Sequence, residues 1–103
     1  MKNWSTNFIP KPVELSLRAQ NNINAILDSV YQYTSFVSTP QKLMQEFTVA
    51  FERIGLLPKG GRLQDDGTRM TFCRHYRIIY KEFDDKIVIV TVVHSKRRYP
   101  QPE

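Results

Sequence analysis

The chemistry-bearing residues of this chain gather near its end, in the run His94-Ser95-Lys96-Arg97-Arg98-Tyr99-Pro100. An imidazole, a phenol and a block of cations are the groups that phosphate chemistry uses. Cleaving RNA requires a base to take the 2′-OH proton, cations to stabilise charge building on phosphorus, and an acid for the leaving 5′-oxygen. His94 and Tyr99 are the candidates for moving the proton. Arg69 and Arg97 are the candidates for holding the reacting phosphate, arginine by a two-pronged hydrogen-bonded contact. Lys59, Arg62, Arg74, Lys96 and Arg98 are candidate RNA and phosphate ligands, and Arg69, Arg74 and Arg77 of the strands, Lys59 and Arg62 of the preceding loop and the terminal run are expected to form one basic concave patch. A plainer reading stands beside this one. A terminal Lys-Arg-Arg is usually a solvated tail, and a single histidine after a strand often holds a backbone carbonyl.

Other reactive residues read as structural. Cys73 alternates with Phe72, has no activating base nearby in sequence, and is a small packing residue. Asp65-Asp66 and Asp84-Asp85 sit in turn contexts that favour Asp for backbone reasons. Arg77, between Tyr76 and Ile78, reads as an arginine whose charge is met by Glu82 or Asp66. Gly60-Gly61 lacks the spacing of a phosphate-cradling loop. One Cys and two His give no ligand pattern for a metal, so no metal and no cofactor is expected.

The elements that must position the terminal run follow from periodicity. Pro12 to Leu17 alternates, a short strand with Val13, Leu15 and Leu17 on one face. From Arg18 the period lengthens, and Ile23, Ile26, Leu27, Val30 and Thr34 mark an amphipathic helix. Thr39 and Pro40 suit the start of a second helix, whose core face is Leu43, Phe47, Ala50, Phe51 and Ile54. Pro58 to Gly61 is a turn or loop, and Arg62 to Thr68 stays polar. Then come three strands: Arg69 to Arg74, Tyr76 to Phe83, and the β-branched run Ile87 to Val93, which fits a central strand buried on both faces. The expected fold class is α+β: an N-terminal strand, an antiparallel helical hairpin, then a three-stranded antiparallel meander, making a four-stranded sheet. Residues 12–100 form the single domain, preceded by an irregular arm, 1–11, and followed by a tail, 101–103.

Composition bounds the function. The chain has 103 residues, one domain's worth, with 41% hydrophobic residues and a net charge of +5. That charge fits an anionic partner such as nucleic acid, ribosome or acidic protein, or simply a basic soluble protein. A single cysteine excludes a disulfide scaffold and suits a reducing cytoplasm. No stretch approaches a membrane span and no secretory leader is visible, so a cytoplasmic location without membrane contact is expected.

The segments His75-Tyr76-Arg77-Ile78-Ile79-Tyr80-Lys81, Asp84 to Val90, and Val93-His94-Ser95-Lys96-Arg97-Arg98 resemble the C-terminal half of the RelE/ParE toxin superfamily. The shared pattern is a Tyr-Arg-apolar-apolar-Tyr strand, an acidic hairpin, an apolar strand and a His-x-x-Arg-like end, with Arg69 one strand upstream. The resemblance implies a growth-inhibiting toxin of a bacterial type II toxin–antitoxin module, of the kind associated with plasmid stabilisation. RelE-like members cut mRNA in the ribosomal A site as mRNA interferases and so inhibit translation; ParE-like members poison DNA gyrase and cleave nothing. Ribosome-dependent mRNA cleavage is placed slightly ahead here, with gyrase inhibition or a non-toxic RNA-binding member as alternatives. The implied partners are a cognate antitoxin and either the ribosome with its mRNA or DNA gyrase, with operator DNA contacted only through the antitoxin.

Overall fold

The computed structural model describes residues 10–34 and 38–95. The elements are β1 (Val13–Leu15), α1 (Leu17–Thr34), α2 (Ser38–Leu56), a 3-10 turn (Pro58–Gly60), β2 (Arg62–Leu63), β3 (Arg69–Cys73), β4 (Tyr76–Glu82) and β5 (Ile87–His94). They form one sheet in the order β1-β5-β4-β3-β2, with β1 parallel to β5 and the other neighbours antiparallel. The fold is the expected α+β arrangement, with five strands where four were expected. The added strand is Arg62–Leu63, which pairs with Met70 and Arg69. Two exposed residues carry no alternation to read.

The first strand is shorter than the alternation suggested. Leu17 opens α1 and is 72% exposed. The cause is Ser16, whose hydroxyl accepts the Ala19 N–H at 2.9 Å and donates to the Val90 carbonyl at 2.8 Å. A serine capping the first helical turn ends the strand where it stands.

Both helices cover the same side of the sheet. Leu43, Phe47, Ala50, Phe51 and Ile54 of α2 are all buried, as their spacing required, and Ala19 and Ile23 of α1 join them. Beneath lie Ile78 and Tyr80 of β4 and Ile87, Ile89 and Val92 of β5. The Phe47 ring meets Tyr76 edge-on at 5.5 Å and stacks on Phe51 at 6.2 Å. Gly55 lets the chain entering β1 pass close to α2. A Cβ there would stand 2.9 Å from the Lys11 carbonyl oxygen, and Lys11 N–H donates to the Gly55 carbonyl at 3.1 Å.

β5 lies inside the sheet but is not buried on both faces: Val88, Val90 and Val93 on its other row are half-buried, because helices cover one face only. Its register against β4 breaks so that Ile79 faces Thr91 and Tyr80 faces Ile89, leaving Val90 as the extra residue of a bulge. The bulge turns both the Ile87–Ile89 pair and Val92 towards the helices. Past β1, Asn22 of α1 covers the edge of β5, its Oδ1 accepting the Thr91 hydroxyl at 2.6 Å and the Val92 N–H at 3.1 Å.

Candidate functional site

Register decides which face each candidate side chain uses. Arg69, Thr71 and Cys73 stand opposite Tyr80, Ile78 and Tyr76, so they share the helix-covered face. Met70 stands opposite Ile79, and Phe72 opposite Arg77, so these four share the open face. The alternation along β3 is as read from the sequence, but its apolar row points away from the core and its Arg–Thr–Cys row points towards it.

Arg69 is consequently committed to the fold. Its Nη1 donates to the Gly61 carbonyl at 2.8 Å and to the Lys59 carbonyl at 3.3 Å. Carbonyls at the end of a helical turn lack helical donors, and an arginine side chain supplies them here. Tyr80, fully buried, completes the clamp by donating its hydroxyl to the Pro58 carbonyl at 2.8 Å and accepting the Gly61 N–H at 2.9 Å. Lys59 pairs with Glu82 at 3.0 Å, and the same carboxylate takes Lys11 at 2.8 Å. Those two ammonium groups hold the Glu82 carboxyl below its ordinary range, the Lys11 bond contributing most. Arg62 is exposed, on the open face opposite Met70.

The other candidates lie at the far end of the strands. Arg74 occupies the tight β3–β4 turn at φ 56° and pairs with Glu46 of α2. His94 stands opposite Tyr76 with ring centroids 5.3 Å apart, and its ring lies 6.1 Å from that of His75. Arg77 Nη2 donates to the Ser95 carbonyl at 2.9 Å. From Tyr80, beside Arg69, to Tyr76, beside His94, is four strand residues, about 13 Å. Arg69, Lys59 and Arg62 are thus placed apart from Arg74 and His94, rather than in a single patch. Lys96, Arg97, Arg98 and Tyr99, like most of the N-terminal arm, lie outside the described residues.

The open face has a feature that sequence reasoning missed. A trough of about 500 Å³ runs between the β2–β3 turn and the start of α1, with Arg77, Ile79 and Thr91 at its floor and Arg18, Asp65 and Asp66 at its rim. Arg77 reached this face because Tyr76 and Ile78, its strand neighbours, point to the core; that alternation was the available signal. Asp66 is held below its usual carboxylate range by the Thr68 hydroxyl and N–H. Burial raises the Cys73 thiol, which is the reverse of an activated nucleophile. Burial likewise raises the phenols of Tyr76 and Tyr80. Among the described residues no three His, Cys, Asp or Glu side chains gather to hold a metal ion, and no helix is long and apolar enough to cross a membrane.

Comparison with known proteins places this arrangement. A solved structure from the chromosomal ParDE toxin–antitoxin system of P. aeruginosa superposes with a TM-score of 0.72 at 13% identity, covering 84% of this chain and 97% of that one. The RelBE2 toxin–antitoxin complex from Mycobacterium tuberculosis gives 0.59 at 21% identity, over 84% and 92%. A sequence search of curated proteins returns no match. The family model described as ParE toxin of type II toxin–antitoxin system, parDE, matches residues 13–99, from the first residue of β1 to beyond the end of β5. The chain belongs to the ParE toxin family of type II toxin–antitoxin systems.

Proposed function

We propose that this toxin arrests growth by binding its target without cutting RNA, that the target is DNA gyrase, and that a cognate antitoxin restrains it in the cytoplasm. One observation carries the choice. Arg69, the cation expected at a reacting phosphate, lies on the helix side and donates to the Gly61 and Lys59 carbonyls, while the open face presents Met70, Phe72 and Ile79. A phosphoryl site needs preorganised cations where charge develops; the cation among these open-face residues is Arg77, opposite Phe72, and its Nη2 donates to the Ser95 carbonyl. Gyrase as the target follows from the resemblance to ParE-like members, which poison it. The antitoxin is supported by the company the fold keeps: both solved neighbours come from toxin–antitoxin systems. Its segment is expected to be acidic or amphipathic, adding a helix or strand to a +5 domain, with operator DNA reached only through it.

Ribosome-dependent mRNA cleavage is the second reading. It is favoured by the two imidazoles, His75 and His94, lying 6.1 Å apart just before the basic terminal run. A DNA supercoiling assay with purified gyrase, run beside in vitro translation with mapping of mRNA ends, separates the two. Blocked supercoiling with intact mRNA is the expected result. Unimpaired supercoiling with cuts at the A-site codon would overturn the binding reading and support the second.

A further inference from the structure

We propose that the open face of the sheet is the surface that grips the toxin's target, and that its occupant is an apolar, acidic segment of that protein. The proposal rests on the binding reading above and adds to it the surface and the chemistry of what fits there.

The helices leave this face uncovered. Phe72, 53% exposed, stands on this face near the sheet edge, past the last β2 pair and opposite Arg77, with the Met70–Ile79 pair next along the strands and Phe83, 41% exposed, beyond the end of β4. An aromatic anchor among aliphatic side chains is the usual centre of a protein–protein contact. Cations flank the strip. Arg62 stands opposite Met70 and makes no hydrogen bond or ion pair among the described residues, and Lys81 lies 5.6 Å from the Phe83 ring centroid. Apolar side chains flanked by cations complement a segment whose apolar residues are flanked by Asp or Glu.

The acidic side of the face points away from nucleic acid. Asp65 and Asp66 stand on the rim of the trough, and Asp66 is fixed there by Thr68, its Oδ1 accepting the hydroxyl at 2.6 Å and the N–H at 3.0 Å. A phosphate backbone laid across the trough would meet both carboxylates, which offset Arg18 and Arg77 there. A protein segment, unlike a phosphate backbone, can keep its acids clear of Asp65 and Asp66.

The test compares wild-type toxin with Phe72→Asp, with the double reversal Arg62→Glu/Lys81→Glu, and with Tyr31→Ala on the outer side of α1 as control. Purified gyrase supercoiling, growth arrest and thermal unfolding are measured for each. All four substituted residues are exposed, and unfolding transitions near that of the wild type are expected. Phe72→Asp and the double reversal are expected to raise the toxin concentration for half-inhibition of gyrase at least tenfold, with Tyr31→Ala at the wild-type level. Added salt should weaken the wild type more than the double reversal. Inhibition at the wild-type level by both face variants would overturn the proposal while leaving gyrase as the target. If wild type itself leaves gyrase untouched, the target assignment falls and the face is judged by growth arrest and by anisotropy with labelled single-stranded RNA. Arrest lost in the face variants of a toxin that binds no RNA supports a protein occupant; arrest retained, or RNA binding lost with Phe72→Asp, overturns it.

Discussion

Replacing Tyr80 by Phe removes one oxygen from the centre of the domain and tests how the Pro58–Gly61 turn is held. That oxygen donates to the Pro58 carbonyl at 2.8 Å and accepts the Gly61 N–H at 2.9 Å, on a residue with no exposed surface. Each lost bond is worth about 0.5–1.5 kcal/mol net, and stranding a buried donor costs about 1–3 kcal/mol. The Pro58 carbonyl is half-buried and within reach of water, whereas the Gly61 N–H is buried. The sum expected is about 2–4 kcal/mol. With a urea slope of about 2 kcal/mol per molar, the middle of the usual range, the unfolding midpoint should fall by about 1–2 M at unchanged slope. Gly61→Ala attacks the same contact from the other side, since a Cβ there would stand 2.3 Å from the Tyr80 hydroxyl oxygen and 2.9 Å from Cζ. In the double variant the hydroxyl clash is gone, so Gly61→Ala should cost less than it does alone. A loss below about 0.5 kcal/mol for Tyr80→Phe, or strict additivity in the cycle, would refute the clamp.

Three further outcomes follow from contacts around the same frame. Asn22→Ala strands the Val92 N–H and the Thr91 hydroxyl, and should lower stability by about 1–3 kcal/mol in the same urea titration. Glu82 is held below its ordinary range by Lys11 and Lys59, so its contribution is present above about pH 4.3 and is lost as pH falls through the lower folded value. Glu82→Gln should therefore be less stable than wild type near neutrality, and the gap should close on acidification in pH-dependent unfolding. Arg69→Ala should lower stability by about 1–3 kcal/mol, and at a temperature where it stays folded it should still arrest growth; an inactive, fully folded Arg69→Ala would return Arg69 to the functional site.

The helices were legible because their signal repeats. Five core residues of α2 recur at helical spacing, and all five are buried. The β4–β5 pair was legible for a similar reason, since Ile78, Tyr80, Ile87 and Ile89 alternate with polar or half-buried neighbours. What escaped was set by single contacts. Leu17 continues an alternation that Ser16 interrupts by capping α1. β2 exists because β3 offers an edge to a two-residue passing segment, and nothing within Arg62–Leu63 announces that. The bulge at Val90 is also a property of the pairing, invisible in a uniformly β-branched run.

The candidate site was harder to read because an arginine's role in a strand depends on which face it takes. Arg69 and Arg77 looked alike in the sequence, one assigned to phosphate and one to structure. The pairing of Arg69 with Tyr80 and of Arg77 with Phe72 places Arg69 on the covered face and Arg77 on the open one. Local composition argues the wrong way for β3, since Met70 and Phe72 are its most apolar pair and would be assigned to the core. Tyr80 overrides that preference. Its ring fills the core and its hydroxyl must find partners, and the partners it finds are the Pro58–Gly61 turn that Arg69 also holds. Once Arg69 is needed on that side, its strand neighbours are forced outward, and an exposed phenylalanine on the open face follows from the demands of a buried tyrosine rather than from a packing failure. The apolar strip is thus the other side of the clamp: strand alternation sets Arg69 and Tyr80 on the covered face and, with them fixed there, Met70 and Phe72 on the open one.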